Sequence, residues 1–162
     1  MDNEIKKIRR WIIFFIISLA VSGITAMPAE TELSFLVGHI SKEGNTGKWL
    51  ETVYLAVQDT NRQYPFIAYG YDWLAFAHII LAILFIGPLR DPVKNKWVID
   101  FGMIACVLII PFAMIAGYFR EIPIGWRLID CCFGVIGLFP LLIVYKNIRQ
   151  LENSLKTKRY VE

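Results

Sequence analysis

Six ionisable residues stand where a membrane-embedded site could do chemistry: Asp72, His78, Arg120, Glu121, Arg127 and Asp130. Asp130 lies four residues past Trp126 and His78 five past Trp73. At ~1.5 Å of helix rise per residue those offsets put them about 6 and 7.5 Å below a tryptophan-marked interface. At similar depth the two could face each other. One would then act as general base while Arg120 and Arg127 hold an anionic group such as a carboxylate or phosphate. Plainer readings stand beside this one. A charge within a span costs roughly 2.5 to 3.5 kcal/mol on insertion scales, so it usually has a partner. For Asp130 that partner would be Arg127, three residues earlier, or Arg120. His78 would be a satisfied core residue, and the whole cluster a salt-bridge network locking helix ends. Nearer the other ends of the helices, Asp100 is three residues past Trp97, within reach of Lys96.

The elements that must carry these residues are four apolar segments, Trp11 to Met27, Trp73 to Leu89, Trp97 to Phe119 and Leu128 to Tyr145, the last following Trp126. Crossing a hydrocarbon core takes about 20 mostly apolar residues in a helix, because no water is there to satisfy stray backbone groups. The segments predict an all-α fold, an integral membrane bundle of four transmembrane helices forming one membrane domain over 1–162. Its spans run about 11–27, 73–89, 97–119 and 127–145, with an outer loop at 28–71 and a tail at 146–162. Composition agrees, at 56% hydrophobic, 14% aromatic and 19% charged, with a mean hydropathy of +0.50.

Lysine and arginine orient the spans. Lys6, Lys7, Arg9 and Arg10 precede the first, Arg90, Lys94 and Lys96 lie between the second and third, and Lys146, Arg149, Lys156, Lys158 and Arg159 follow the fourth. These hold 12 of the 17 basic residues; the alternate connections hold Lys42, Lys48, Arg62, Arg120 and Arg127. The positive-inside rule then predicts both termini in the cytoplasm, and the net charge of +3 reflects topology rather than a nucleic-acid-binding face. A cleaved secretory signal is the rival reading of the first segment. The apolar run is long for one, Pro28 sits close to any cut, and Ser18, Ser22 and Ala26 recur every fourth residue as a small-residue face for a neighbouring helix.

In the outer loop, Leu33, Leu36, Val37 and Ile40 share one side of a short helix over Thr31 to Ile40. After the turn signal Gly44-Asn45-Thr46-Gly47, Trp49, Leu50, Val53, Tyr54 and Val57 return at helical spacing up to Asn61. The pair reads as amphipathic helices capping the bundle, supplying Glu30, Glu32 and His39, and Tyr64, Phe66, Tyr69, Tyr71 and Trp73 follow as an aromatic belt. The short connections at Arg90 to Lys96 and Arg120 to Arg127 predict two antiparallel hairpins, with Pro111 and Pro140 kinking the third and fourth spans.

Several chemistries lack their residues. Cys106, Cys131 and Cys132 offer no C-x-x-C pair for dithiol chemistry, and His78 is the one histidine in a span, too few for a bis-histidine haem. His39, His78 and scattered carboxylates support a metal site weakly, and no P-loop, dinucleotide fingerprint or nucleophile elbow is present. No cofactor is expected.

The stretch from Ala116 to Gly137 contains Gly-Tyr-Phe-Arg-Glu-Ile-Pro-Ile-Gly-Trp-Arg-Leu-Ile-Asp-Cys-Cys-Phe-Gly. On its Arg, Ile-Pro, Trp-Arg-Leu-Ile-Asp-Cys and Phe-Gly elements it resembles a segment of small bacterial four-helix membrane proteins of no assigned function. The resemblance implies a bacterial inner-membrane protein and implies no activity. Three functional classes are open. The first is a non-enzymatic protein that binds a lipid or small anionic ligand in the outer cluster or serves as a subunit of a membrane assembly. The second is a membrane enzyme using His78 or Asp130 as base. The third is a transporter or channel subunit, which with four spans needs an oligomer. Expected partners are membrane lipids and a second copy or a membrane complex, with no nucleic acid.

Overall fold

The computed structural model describes residues 2–41 and 44–161, so Lys42 lies outside the described residues, and of the tail bases Lys156, Lys158 and Arg159 are described in their backbone alone. Among the described residues there is no strand. The elements in order are α1 (Asp2–Ala26), α2 (Ala29–His39), α3 (Asn45–Gln63), a single 3₁₀ turn (Pro65–Ile67), α4 (Tyr69–Leu84), α5 (Ile86–Arg90), α6 (Lys96–Phe119) and α7 (Ile124–Val161). Among the described residues four helical stretches are long and apolar enough to cross a membrane: Asn3–Ala26, Pro65–Arg90, Lys96–Phe119 and Ile124–Ser154. α6 covers the third apolar segment, and residues 91–95 separate it from α5. The second span differs in being broken, α4 ending at Leu84. Its cause is Pro88, whose ring clashes with the carbonyl four residues earlier and which has no N–H to donate. Pro111 and Pro140 lie inside α6 and α7, which continue through them. The 38 residues of α7 would run about 57 Å, so the charged tail is an extension of the same helix.

The chain divides into two compact units, one of residues up to Ile17 with those from Ala82 onward, the other Ser18–Leu81. In the first, α6 and α7 pack closely as an antiparallel pair. Glycine permits the approach: a Cβ on Gly134 would lie 2.5 Å from the Cys106 carbonyl oxygen, and one on Gly137 3.1 Å from the Cys106 sulfur. The core gathers at one end, from Ile8, Ile12 and Phe15 of α1, Phe85 before α5, Val98 and Ile99 of α6, and Leu141, Val144 and Ile148 of α7. Phe15 and Phe85 meet ring to ring with centroids 4.7 Å apart. Toward the other end of the α6–α7 pair apolar side chains stand bare, with Phe112 73% exposed and Phe119 77%.

In the second unit, α2 and α3 pack on each other, joined by the Asn61 amide donating to Glu30 at 2.8 Å, with Leu50 buried. The close approach of α1 to α4 corrects one expectation. It falls on Gly23, where a Cβ would sit 2.7 Å from the Ala75 carbonyl oxygen, while Ser18 and Ser22 of the anticipated small-residue face are exposed. A residue without a side chain lets a backbone oxygen approach where even serine keeps it off.

Candidate functional site

Of the six candidate residues, Arg120, Glu121, Arg127 and Asp130 belong to the first unit and Asp72 and His78 to the second, and each group has its own local setting. The first group is built on the turn from α6 to α7. The helix ends in a Schellman motif: the Ile122 N–H donates to the Gly117 carbonyl at 2.9 Å and the Glu121 N–H to Tyr118 at 3.2 Å. That motif needs a left-handed residue, and Glu121 supplies it with φ 55°, the one positive φ outside glycine among the described residues. Pro123 then starts α7 by accepting from the N–H groups of Trp126 and Arg127, at 3.0 and 3.2 Å.

Arg127 closes the turn. Its stem crosses Gly117, where a Cβ would meet Arg127 Cγ and Cδ at 2.7 Å, and its Nε–H donates to the Ile122 carbonyl at 2.6 Å. The guanidinium also lies 6.0 Å from the centre of the Tyr118 ring. The Asp130–Arg127 pair expected from their spacing does not form among the described residues, nor does one with Arg120. The direction of helical side chains explains this: they lean toward the helix N-terminus, so Arg127 reaches back to Ile122 and away from Asp130. Arg120 and Glu121 are exposed, and Asp130 is half-buried in α7 with no ion pair or hydrogen bond among the described residues. A salt-bridge network of the kind expected for this group is therefore absent within it.

In the second unit, Asp72 stands in the first turn of α4, where a carboxylate suits the helix dipole. It edges a hollow of about 330 Å³ with Met27, Tyr69, Trp73 and Phe76. His78 Nδ1 is 2.9 Å from the Leu74 carbonyl of its own helix. A carbonyl only accepts, so Nδ1 is the donor in this bond. Its Cβ faces Gly23, which makes His78 part of the α1–α4 packing. His39 repeats the pattern, with Nδ1 donating to Phe35 at 2.7 Å. Among the described residues no three His, Cys, Asp or Glu side chains gather to hold a metal, and the three cysteines are free.

The opposite end of the first unit is better knit than its sequence suggested. Lys96 pairs with Asp100 at 3.6 Å as expected, but Tyr145 had not been singled out. Lys96 Nζ sits 4.7 Å from the centre of its ring and the Arg149 guanidinium 5.0 Å, so two cations flank one aromatic ring. The four-residue step from Tyr145 to Arg149 was the available signal. Arg9 Nε–H donates to the Leu89 carbonyl at 3.2 Å. In the turn, the Lys94 backbone N–H, 3.1 Å away, holds the Asp91 carboxyl below its ordinary range, helped by the Lys94 ammonium at 3.4 Å.

No family model matches the chain, and neither does a curated protein or a solved structure.

Proposed function

We propose that this chain is a multi-pass protein of a bacterial inner membrane, with both termini cytoplasmic, and that it works as a non-enzymatic subunit of a membrane assembly. The observation that carries the reading is Asp130. It is a half-buried carboxyl in an apolar helix, without an ion pair or hydrogen bond among the described residues. Such a group needs a partner or a wet cavity. A donor or base on a neighbouring span, from another protein or a second copy, would meet that need. An anion held by two arginines fits less well, because Arg127 already spends its Nε–H on Ile122. The orientation is supported by the N-terminal bases and the Arg90 to Lys96 turn meeting at one end of the first unit through Arg9 and Leu89.

Native mass spectrometry from mild detergent, after crosslinking in the membrane, tests the assembly. The wild-type chain should carry a second polypeptide or a second copy, and Asp130→Asn should accumulate normally and lose it. A wild-type chain that is monomeric both in the membrane and after extraction overturns the proposal. Labelling of Lys42→Cys from the cytoplasmic side, with the native cysteines replaced, would overturn the orientation.

A further inference from the structure

At the well-packed end of the first unit α1 and α7 border an open cavity of about 350 Å³, lined by Glu4, Lys7, Trp11, Ile143, Lys146, Asn147 and Gln150. Two of its polar groups are orphans. Asn147 is 5% exposed and its Nδ2 has no hydrogen-bond partner among the described residues; the buried Oε2 of Glu4 has none among them either. A buried donor or acceptor left unmade costs about 1–3 kcal/mol, and more for a charged group, so two such atoms on residues that line one cavity call for a partner there. That occupant must offer an acceptor to Asn147 and a donor to Glu4.

The geometry points to a binding site for the headgroup of an aminophospholipid, its phosphate on the Asn147 amide and the ammonium groups of Lys7 and Lys146, its primary ammonium on the Glu4 carboxylate. Most of the lining has a use in that arrangement. The two lysines supply cations for the phosphate diester, and the one carboxylate is left for the headgroup ammonium. The carboxylate disfavours a headgroup that is purely anionic, and Oε2 asks for an N–H that a quaternary ammonium does not have. Trp11 adds an aromatic face for the cation and is itself braced edge-on by Phe14 and Phe139, with centroids 6.1 and 6.0 Å away. Its position where the apolar run of α1 begins, with Ile143 opposite, sets the cavity at headgroup level with hydrocarbon on one side for acyl chains. The site is distinct from Asp130 and stands or falls independently of the proposed assembly.

The test is native mass spectrometry of the purified full chain offered equal amounts of phosphatidylethanolamine, phosphatidylglycerol and phosphatidylcholine with matched acyl chains. One phosphatidylethanolamine should be retained at least tenfold over the other two. Glu4→Gln should abolish the preference over phosphatidylglycerol, and Lys146→Gln, at an exposed position, should reduce retention of all three. Thermal midpoints of both variants without added lipid report whether each is folded. Equal retention of the three lipids, which is the behaviour of a water-filled cavity, overturns the proposal, as does a preference for phosphatidylglycerol. Soluble phosphoethanolamine that displaces the lipid at equal concentration would identify a small solute as the occupant and overturn the lipid assignment.

Discussion

The contact between α6 and α7 makes a quantitative prediction at Gly134. A Cβ placed there falls 2.5 Å from the Cys106 carbonyl oxygen, whereas real Cβ contacts essentially never fall below 3.0 Å, so Gly134→Ala forces the helices apart by at least the 0.5 Å between those values. The obstructing atom is backbone and cannot turn aside as a side chain would. Parting a packed pair forfeits dispersion contacts along the seam, and overpacking of this kind costs about 1–3 kcal/mol. At about 2–4 °C per kcal/mol for a chain of this size, the thermal midpoint in detergent should fall by about 2–12 °C. Gly125→Ala is the matched control, since nothing lies within 4 Å of a Cβ there. It should leave the midpoint unchanged or raise it, by up to about 1 kcal/mol of helix propensity. Gly117→Ala should fall between them, because the atoms in its way are Arg127 Cγ and Cδ on a side chain that can move. Circular dichroism melts of the three purified variants decide the matter. A Gly134→Ala protein as stable as wild type, or a Gly125→Ala protein that loses as much, would refute close backbone packing as the reason for glycine at 134.

Three further outcomes follow from the same turn chemistry. Glu121→Gly relieves a left-handed φ of 55° and should raise the thermal midpoint by the equivalent of about 1 kcal/mol; a drop would mean that the Glu121 carboxylate is engaged. Arg127→Gln removes the Nε–H donated to Ile122 and should lower stability by about 1–2 kcal/mol, and an unchanged melt would show that the turn does not depend on it. Asp91 titrates below its ordinary range in the folded chain, so its contribution is complete above about pH 4, the unfolded carboxylate value, and is lost as pH falls through the lower folded value. Melts across that acid range should therefore steepen for wild type relative to Asp91→Asn, and identical slopes would remove Asp91 from the account.

What the sequence conveyed and what it hid divide along one physical line. Position along a helix axis is legible, because hydropathy, tryptophan and proline act locally: α6 begins and ends where its apolar run does, and the 91–95 turn falls between the expected bases. The break in the second span falls where Pro88 obstructs the carbonyl of Leu84, but Pro111 and Pro140 leave α6 and α7 continuous, so proline alone did not single it out. Direction around a helix axis is not legible in the same way. Ser18, Ser22 and Ala26 made a regular stripe, yet Gly23, off that stripe, takes the α1–α4 contact. Asp130 and Arg127 had the spacing of an ion pair, yet the lean of helical side chains sent the guanidinium back to Ile122. The cavity lined by Glu4 and Asn147 is further out of reach, because its two orphaned atoms come from opposite ends of the chain and neither residue is unusual in its own segment. Depth rules therefore favoured the cluster around Asp130 as the candidate site. The unmet hydrogen bonds that indicate a ligand most directly lie instead at the basic end, where abundant lysine and arginine had an ordinary explanation as membrane anchors.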